Sequence, residues 1–306
     1  MSDRRFLGII LLAVALAGCL LASGALGQGS STAGPLHIGI STDLHANAAD
    51  SPAEHKVMID YPARLSAYVD AMNAWSADLV VDLGDFVNGA FVLSLVPAGP
   101  AQTAAQVPAV LANAESVYAR FSGPRYHVLG NHDIYDLSKE EFLAGTGAPW
   151  TYGSFDAKGY HLVILDVQYT PKDAPLGHAT WVVQGWVPQV ELDWLKADLA
   201  ATGRPTIVCV HQRLDGALEK LNKKPQVLNA DVVRAVLESS GVVIAVFQGH
   251  DHTSAYTLVN GIHYIAFAAL VNEGTPPSWA QVTLDPSGRT IDIVGVGLEV
   301  ARHLTY

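Results

Sequence analysis

Residues 241–252 read Gly-Val-Val-Ile-Ala-Val-Phe-Gln-Gly-His-Asp-His, an apolar run that stops abruptly on polar, metal-competent side chains. A short run rich in Val and Ile, bounded by turn residues, reads as a strand. The same junction recurs elsewhere. After Ile38-Gly39-Ile40 comes Asp43-Leu44-His45. After the run 79–83 comes Gly84-Asp85, and after Val128-Leu129 comes Gly130-Asn131-His132-Asp133. His211 follows Ile207-Val208-Cys209-Val210. Five apolar runs thus end in five blocks, and each block holds Asp, Asn or His. In α/β sheets ligands bind outside the carboxyl ends of the strands. Blocks spread over more than two hundred residues are therefore expected to converge.

Working outward, strands are expected at 36–42, 78–83, 125–129, 161–166, 205–210 and 241–247. Helical stretches are expected between several of them, at 61–76, 101–121, 190–201 and 230–239. In the first of these, Leu65, Tyr68, Val69, Met72 and Trp75 recur at helical spacing, the stripe of a helix packed on a core. The alternation predicts an α/β layered fold. Beyond residue 250 the pattern changes to strands and turns at 255–259, 263–267, 279–284 and 290–294. A second sheet packed on the first is the economical reading. Residues 96–107, rich in Pro and Ala, and 168–188, with Trp181 and Trp186, read as excursions rather than domains.

Two Asp, one Asn and several His gathered without a Cys suit a pair of divalent metals such as Zn, Mn or Fe. On an extended segment, Asp43-x-His45 puts both side chains on one side, within reach of one ion. The two rings of His250-x-His252 are free to face different ions. The glycines before Asp85, Asn131 and His250 are expected to let the chain turn sharply beside the ions.

The series D-x-H, G-D, G-N-H-D, H, G-H-x-H, in this order, resembles the calcineurin-like metallophosphoesterases, over about residues 36–267. The resemblance implies a four-layer α/β/β/α sandwich, with two packed mixed sheets flanked by helices and a dimetal site at strand C-terminal ends. It implies that Asp43, His45 and His252 bind one metal, that Asp85 bridges, and that Asn131, His211 and His250 complete the second. His132 would face the substrate as general acid, with Asp133 orienting its imidazole, while a bridging hydroxide attacks phosphorus. Asp251, between two ligands, is expected to point away. His37, His55, His127, His161, His178, His263 and His303 fall outside the blocks, and His178 is read as a surface histidine. A rival from another class is an exported protein that captures phosphorylated ligands at the same metal centre without turnover.

Charge bears on the same question. The 306 residues carry 18 basic and 29 acidic side chains, a net −11, with no basic run. Such a chain does not grip a nucleic acid polymer through its general surface. Phosphate must be held by something else, and bound cations supply that charge. Two cysteines, Cys19 and Cys209, exclude a disulfide scaffold. Cys209 sits in an apolar run and reads as a buried small hydrophobe.

Half the residues are hydrophobic, and the apolarity is partly local. Arg4 and Arg5 precede an uncharged apolar run, 6–22, which is the layout of an export signal. Leu16-Ala17-Gly18-Cys19 resembles the lipobox of bacterial lipoproteins, which implies cleavage after residue 18 and a lipid on Cys19. An ordinary signal cut after Gly27 and an uncleaved anchor helix are the alternatives. On the lipoprotein reading residues 1–18 are signal, 19–35 a flexible tether and 36–306 the folded domain, held outside the cytoplasm at a membrane. Loss of Asp3, Arg4 and Arg5 leaves the mature chain at −12.

The expected substrate is a small phosphorylated molecule. Purple acid phosphatases place a tyrosine ligand three residues after the bridging Asp, where this chain has Asn88. Only about fifty residues follow the last block, so the large C-terminal domain of secreted 5′-nucleotidases is not expected. The stretch 152–166, the aromatic loop and then 190–199 look more like the manganese-dependent diphosphatases acting on ADP-ribose-like or CDP-alcohol substrates. Cyclic nucleotides are the other option among compact relatives. Phe86, Tyr135, Trp181 and Trp186 are aromatic residues available to stack on a base or to pack internally.

Overall fold

The computed structural model describes residues 34–48, 58–90, 102–178, 182–216, 227–272 and 276–306. The leader, Cys19, the alternative cut after Gly27 and Trp181 lie outside the described residues.

Two six-stranded mixed sheets form the centre of the molecule. In the first, β1 (Leu36–Ser41), β2 (Leu79–Asp82) and β3 (Arg125–His127) run parallel. β10 (Trp279–Asp285) joins β1 antiparallel and is followed outward by β11 (Thr290–Val296) and β12 (Arg302–Thr305). The second sheet has parallel β5 (Tyr160–Ile164), β6 (Thr206–Val210), β7 (Val243–Gln248) and β9 (Ile262–Ala266). Antiparallel β4 (Gly153–Ala157) and β8 (Ala255–Val259) close its two edges. The strands after residue 250 therefore do not make a sheet of their own. Two of them complete the second sheet and three complete the first.

Side-chain alternation explains the layering. Leu36, Ile38 and Ile40 of β1, Leu79 and Val81 of β2, Ile207 and Cys209 of β6 and Tyr160, Leu162 and Ile164 of β5 meet in one cluster between the sheets. Their neighbours of opposite parity face helices: Val80 packs with the cluster on one side, and Val163, Val208 and Val210 with the cluster on the other. Strands buried on both faces read as continuous apolar runs. Each fully buried Leu, Ile or Val contributes on the order of 1.5–3 kcal/mol relative to exposure.

On the first sheet lie α1 (Tyr61–Trp75), α2 (Val107–Tyr118) and α3 (Lys139–Thr146). Leu65, Tyr68, Val69 and Met72 of α1 are buried, the stripe expected from spacing. A Cβ on Gly39 of β1 would sit 2.5 Å from Met72 Sδ, so the glycine admits the helix. On the second sheet lie α4 (Gln189–Ala201) and α5 (Ala230–Ser240). Three elements were not anticipated. α3 is only eight residues long, although Ser138 and Glu141 form a capping box at its start. β4 and β12 are short and only half-buried, so neither carries an apolar run.

Candidate metal centre

The blocks follow β1, β2 and β3 in one sheet and β6 and β7 in the other, so the site spans the ends of both sheets. Asp43, His45, Asp85, Asn131 and His211 are almost wholly buried. His132 and His252 keep 12% and 20% of their side chains exposed and mark the side from which solvent reaches the centre.

Two groups of donors form. Ligand atoms of Asp43, His45 and His252 lie within 4.8 Å of one another, and so do those of Asp85, His211 and His250. His250 and His252 thus face different groups. Asp85 Oδ2 stands between the two, 3.1 Å from His211 Nε2 and 3.6 Å from His45 Nε2. A third overlapping group joins His45, Asp85 and His132.

Each carboxylate spends one oxygen on the protein and presents the other. Asp43 Oδ2 accepts from Thr42 Oγ1 and His250 N, while Oδ1 lies 3.2 Å from His252 Nε2. Asp85 Oδ1 accepts from His132 N. The imidazoles are oriented from behind. His45 Nδ1 donates to Asn88 Oδ1 and His211 Nδ1 to the Leu83 carbonyl, which leaves both Nε2 lone pairs facing the centre. His45 Nε2 and His252 Nε2 are 3.0 Å apart, and His211 Nε2 and His250 Nδ1 3.2 Å apart. The Oδ1 atoms of Asp43 and Asn131 are buried without a hydrogen-bond partner. Orphaned oxygens beside converging lone pairs fit divalent cations held by N and O donors.

Electrostatics prepare the two carboxylates and His250 for a cation, and oppose it at His211. Burial pushes the Asp43 carboxyl up, but His252, His45 and His211 together hold it well below the usual carboxylate range. Asp85 is likewise buried and is held down by His211, His132 and His45. Burial and then His211 push His250 down to about 3. Ionised carboxylates and neutral imidazoles are the states that bind metal. His211 is drawn up to about 10: burial opposes protonation, but Asp85, Asp43 and the Leu83 carbonyl favour it. A proton and a cation therefore compete for that ring.

The local backbone differs from the extended segment expected at Asp43-x-His45. Asp43 and His45 both lie in the left-handed region, at φ +53° and +46°, as do Asp85, His250 and His252 at +54°, +68° and +60°. Such residues cost on the order of 1–3 kcal/mol each and persist where surrounding structure dictates them. Here the surroundings are bonds from Asp43 N to Gly84 O and His45 N to Asp85 O. Of the three glycines, only Gly84 makes a left-handed turn, at φ +102°. Gly130 is needed for contact instead: an added Cβ would lie 2.2 Å from Asp85 N. At Gly249 it would lie 2.1 Å from Thr42 Oγ1.

Asp133 does not orient His132. Its carboxylate accepts the backbone N–H groups of Asp85, Val87 and Gly130 at 2.8–3.0 Å, and so braces the loop that carries Asp85. His132 Nδ1 instead meets Asn88 Oδ1 at 2.6 Å. Asp251 bonds Arg213 Nη1 at 2.7 Å and lies in neither donor group. Arg213, buried two residues after His211, also holds Asp215, and so ties the loops after β6 and β7. Nothing in the sequence marked Arg213. Phe86 and Tyr135 are fully buried and pack internally, and Trp186 Nε1 bonds Asp173. His178 is exposed and meets Glu141.

A two-sheet α/β sandwich with this thiolate-free His, Asp and Asn set at its strand ends defines a metallophosphoesterase, a hydrolase of phosphoric ester or anhydride bonds that works with two divalent metal ions. The chain belongs to the calcineurin-like phosphoesterase family, whose model matches residues 36–254. It is similar to a manganese-dependent ADP-ribose/CDP-alcohol diphosphatase of Arabidopsis thaliana, 24% identical over 218 residues, 58% of this chain and 69% of the relative. The protein of the same description from Oryza sativa subsp. japonica is 24% identical over 187 residues, 48% of this chain and 58% of that one. In fold it resembles a dimetal phosphatase from Danio rerio, with a TM-score of 0.71 at 16% identity, covering 89% of this chain and 99% of the other.

Proposed function

We propose that this chain is an exported hydrolase of the phosphoric anhydride bond in small nucleoside diphosphate-linked molecules, the class that includes ADP-ribose and CDP-alcohols. The similarity to two manganese-dependent diphosphatases that act on such molecules carries the substrate class. Asp43, His45 and His252 would hold one ion and Asn131, His211 and His250 the other, with Asp85 shared. When bound, the ions acidify a water nucleophile and neutralise phosphate charge, which suits a chain of net −11.

The protein's own part is orientation and proton supply. His132 stands at the open side, its Nε2 4.0 Å from Asp85 Oδ2. An amide oxygen only accepts, so Asn88 keeps the hydrogen of His132 on Nδ1 and leaves Nε2 to exchange a proton with the leaving oxygen. A general acid of this kind supplies roughly 10²–10⁴-fold.

The export reading rests on Arg4, Arg5, the apolar run and Leu16-Ala17-Gly18-Cys19, with Cys19 as the lipid-bearing residue and a membrane as the partner it reaches. Among the described residues no helix is long and apolar enough to cross a membrane. Cys19→Ser is expected to release the protein from membranes, and continued firm attachment would favour an uncleaved helix.

The test of function is a matrix of substrates against metals on the full chain: an aryl phosphomonoester, a diester, a cyclic nucleotide, ADP-ribose and a CDP-alcohol, each with Mn, Zn, Fe, Co and Mg. The expected result is the highest kcat/KM on the two diphosphate-linked substrates with Mn. A preference for the monoester or the cyclic nucleotide under every metal would overturn the substrate assignment.

A further inference from the structure

An asparagine ligand has a problem that a carboxylate does not. Its side chain has one oxygen and one NH2, and half a turn exchanges acceptor for donor. Asn131 solves it with a single partner. Its Nδ2 donates to the Tyr135 hydroxyl at 2.6 Å, and its Oδ1, buried and without a hydrogen-bond partner, is left to the centre. The Tyr135 hydroxyl also faces the Val182 carbonyl, 3.5 Å away. Tyr135 is itself fixed. It is fully buried, its ring lies 4.7 Å from that of His132, and its backbone N–H bonds the His132 carbonyl.

We propose that Tyr135 is a positioning residue that sets the amide of Asn131, and through it the affinity of the ion nearest Asn131. The inference rests on the two-ion reading of the centre. With Nδ2 on the Tyr135 hydroxyl, Oδ1 is left to the centre, whereas the reversed amide would turn its NH2 toward the ion. The next carbonyl along, Val183, accepts from Gln212 Nε2 at 3.3 Å, and Gln212 follows His211 directly. Two consecutive carbonyls at the far end of the aromatic excursion are thus bonded to residues that adjoin or orient ligands of one and the same ion.

Tyr135→Phe removes one oxygen and keeps the ring. Mn²⁺ is titrated by calorimetry into the chelator-stripped full chain, its Tyr135→Phe variant, Asn131→Asp and the double variant, with melting temperature followed in parallel. A carboxylate presents an oxygen either way round, so Asn131→Asp should not need Tyr135. The expected result is two sites in the parent chain and, in Tyr135→Phe, one of them weakened roughly 10–100-fold with the other unchanged. Asn131→Asp and the double variant should bind alike. Equal affinities in parent and Tyr135→Phe would overturn the inference and leave the two-ion reading standing. So would a uniform loss at both sites that tracks melting temperature. Fewer than two ions in the parent chain would remove the reading and the inference together.

Discussion

Asn88 Oδ1 receives two imidazoles at once, lying 2.6 Å from His132 Nδ1 and 3.1 Å from His45 Nδ1. One amide therefore fixes the tautomer of His45 and of the residue proposed as the acid, whose rings stand edge to face at 4.5 Å. His132→Ala should keep both metals and lose about 10²–10⁴-fold in kcat. Asn88→Ala is expected to follow it with a smaller loss. On phosphate esters, turnover in both should fall more for an alkyl leaving group than for an activated aryl one, since the poorer leaving group depends more on a proton. Metal content measured on the purified variants decides the matter. If it drops in His132→Ala, then His132 is a ligand, as its group with His45 and Asp85 would allow.

Arg213 joins the loops that deliver His211 on one side and His250 and His252 on the other. Its removal leaves two buried carboxylates, Asp215 and Asp251, without their guanidinium. Arg213→Met should cost about 3–5 kcal/mol in stability. It should also weaken metal uptake roughly 10–100-fold. Denaturant unfolding and metal titration measure the two effects separately, and an unchanged metal affinity would confine Arg213 to a structural role.

Glycine substitutions separate close contact from backbone conformation. Gly130→Ala places a Cβ 2.2 Å from Asp85 N and should cost on the order of 3 kcal/mol together with metal binding. Gly147, at φ +70°, has nothing within 4 Å of such a Cβ. Gly147→Ala should therefore cost only the left-handed penalty, about 1–2 kcal/mol, and leave the centre intact. Urea melts with metal titration on both variants check this.

Behind the centre, buried His127 lies between Asp82 Oδ2 at 3.4 Å and Glu115 Oε2 at 3.1 Å. Burial pushes its pKa down, but the two carboxylates draw it up to about 9. The raised folded value means that its stabilisation is complete below the unfolded pKa of about 6.5 and is lost as pH rises through about 9. The melting temperature of the parent chain should therefore fall between those values, and that of His127→Gln should fall less. Parallel pH profiles for the two would remove His127 as the cause.

The residues that meet at the centre were legible because each closes a strand, and strand ends converge whatever the spacing in the chain. Their division between two ions is what the resemblance implies, beyond what the strand ends alone dictate. What was not legible is how they are held. Arg213 acts through a buried fork to Asp251, and no local pattern announces a partner 38 residues away. Asp133 looked like the partner of His132 because the two adjoin. The chain turns so that its carboxylate meets three amides instead, and Asn88 reaches the ring from another strand end. The left-handed residues at Asp43 and His45 also defeated the simple alternation rule, since that rule holds only for extended backbone. β4 and β12 are not legible, because half-exposed edge strands carry no continuous apolar run.

The central claim is that hydrolysis needs two divalent ions held by Asp43, His45, Asp85, Asn131, His211, His250 and His252. The direct measurement adds Mn²⁺ in known equivalents to the chelator-stripped full chain and follows hydrolysis of ADP-ribose alongside bound metal. Activity should be absent without metal, rise with occupancy and level off at two ions per chain. Turnover that survives complete removal of metal, or that is full at a single bound ion, would contradict the account.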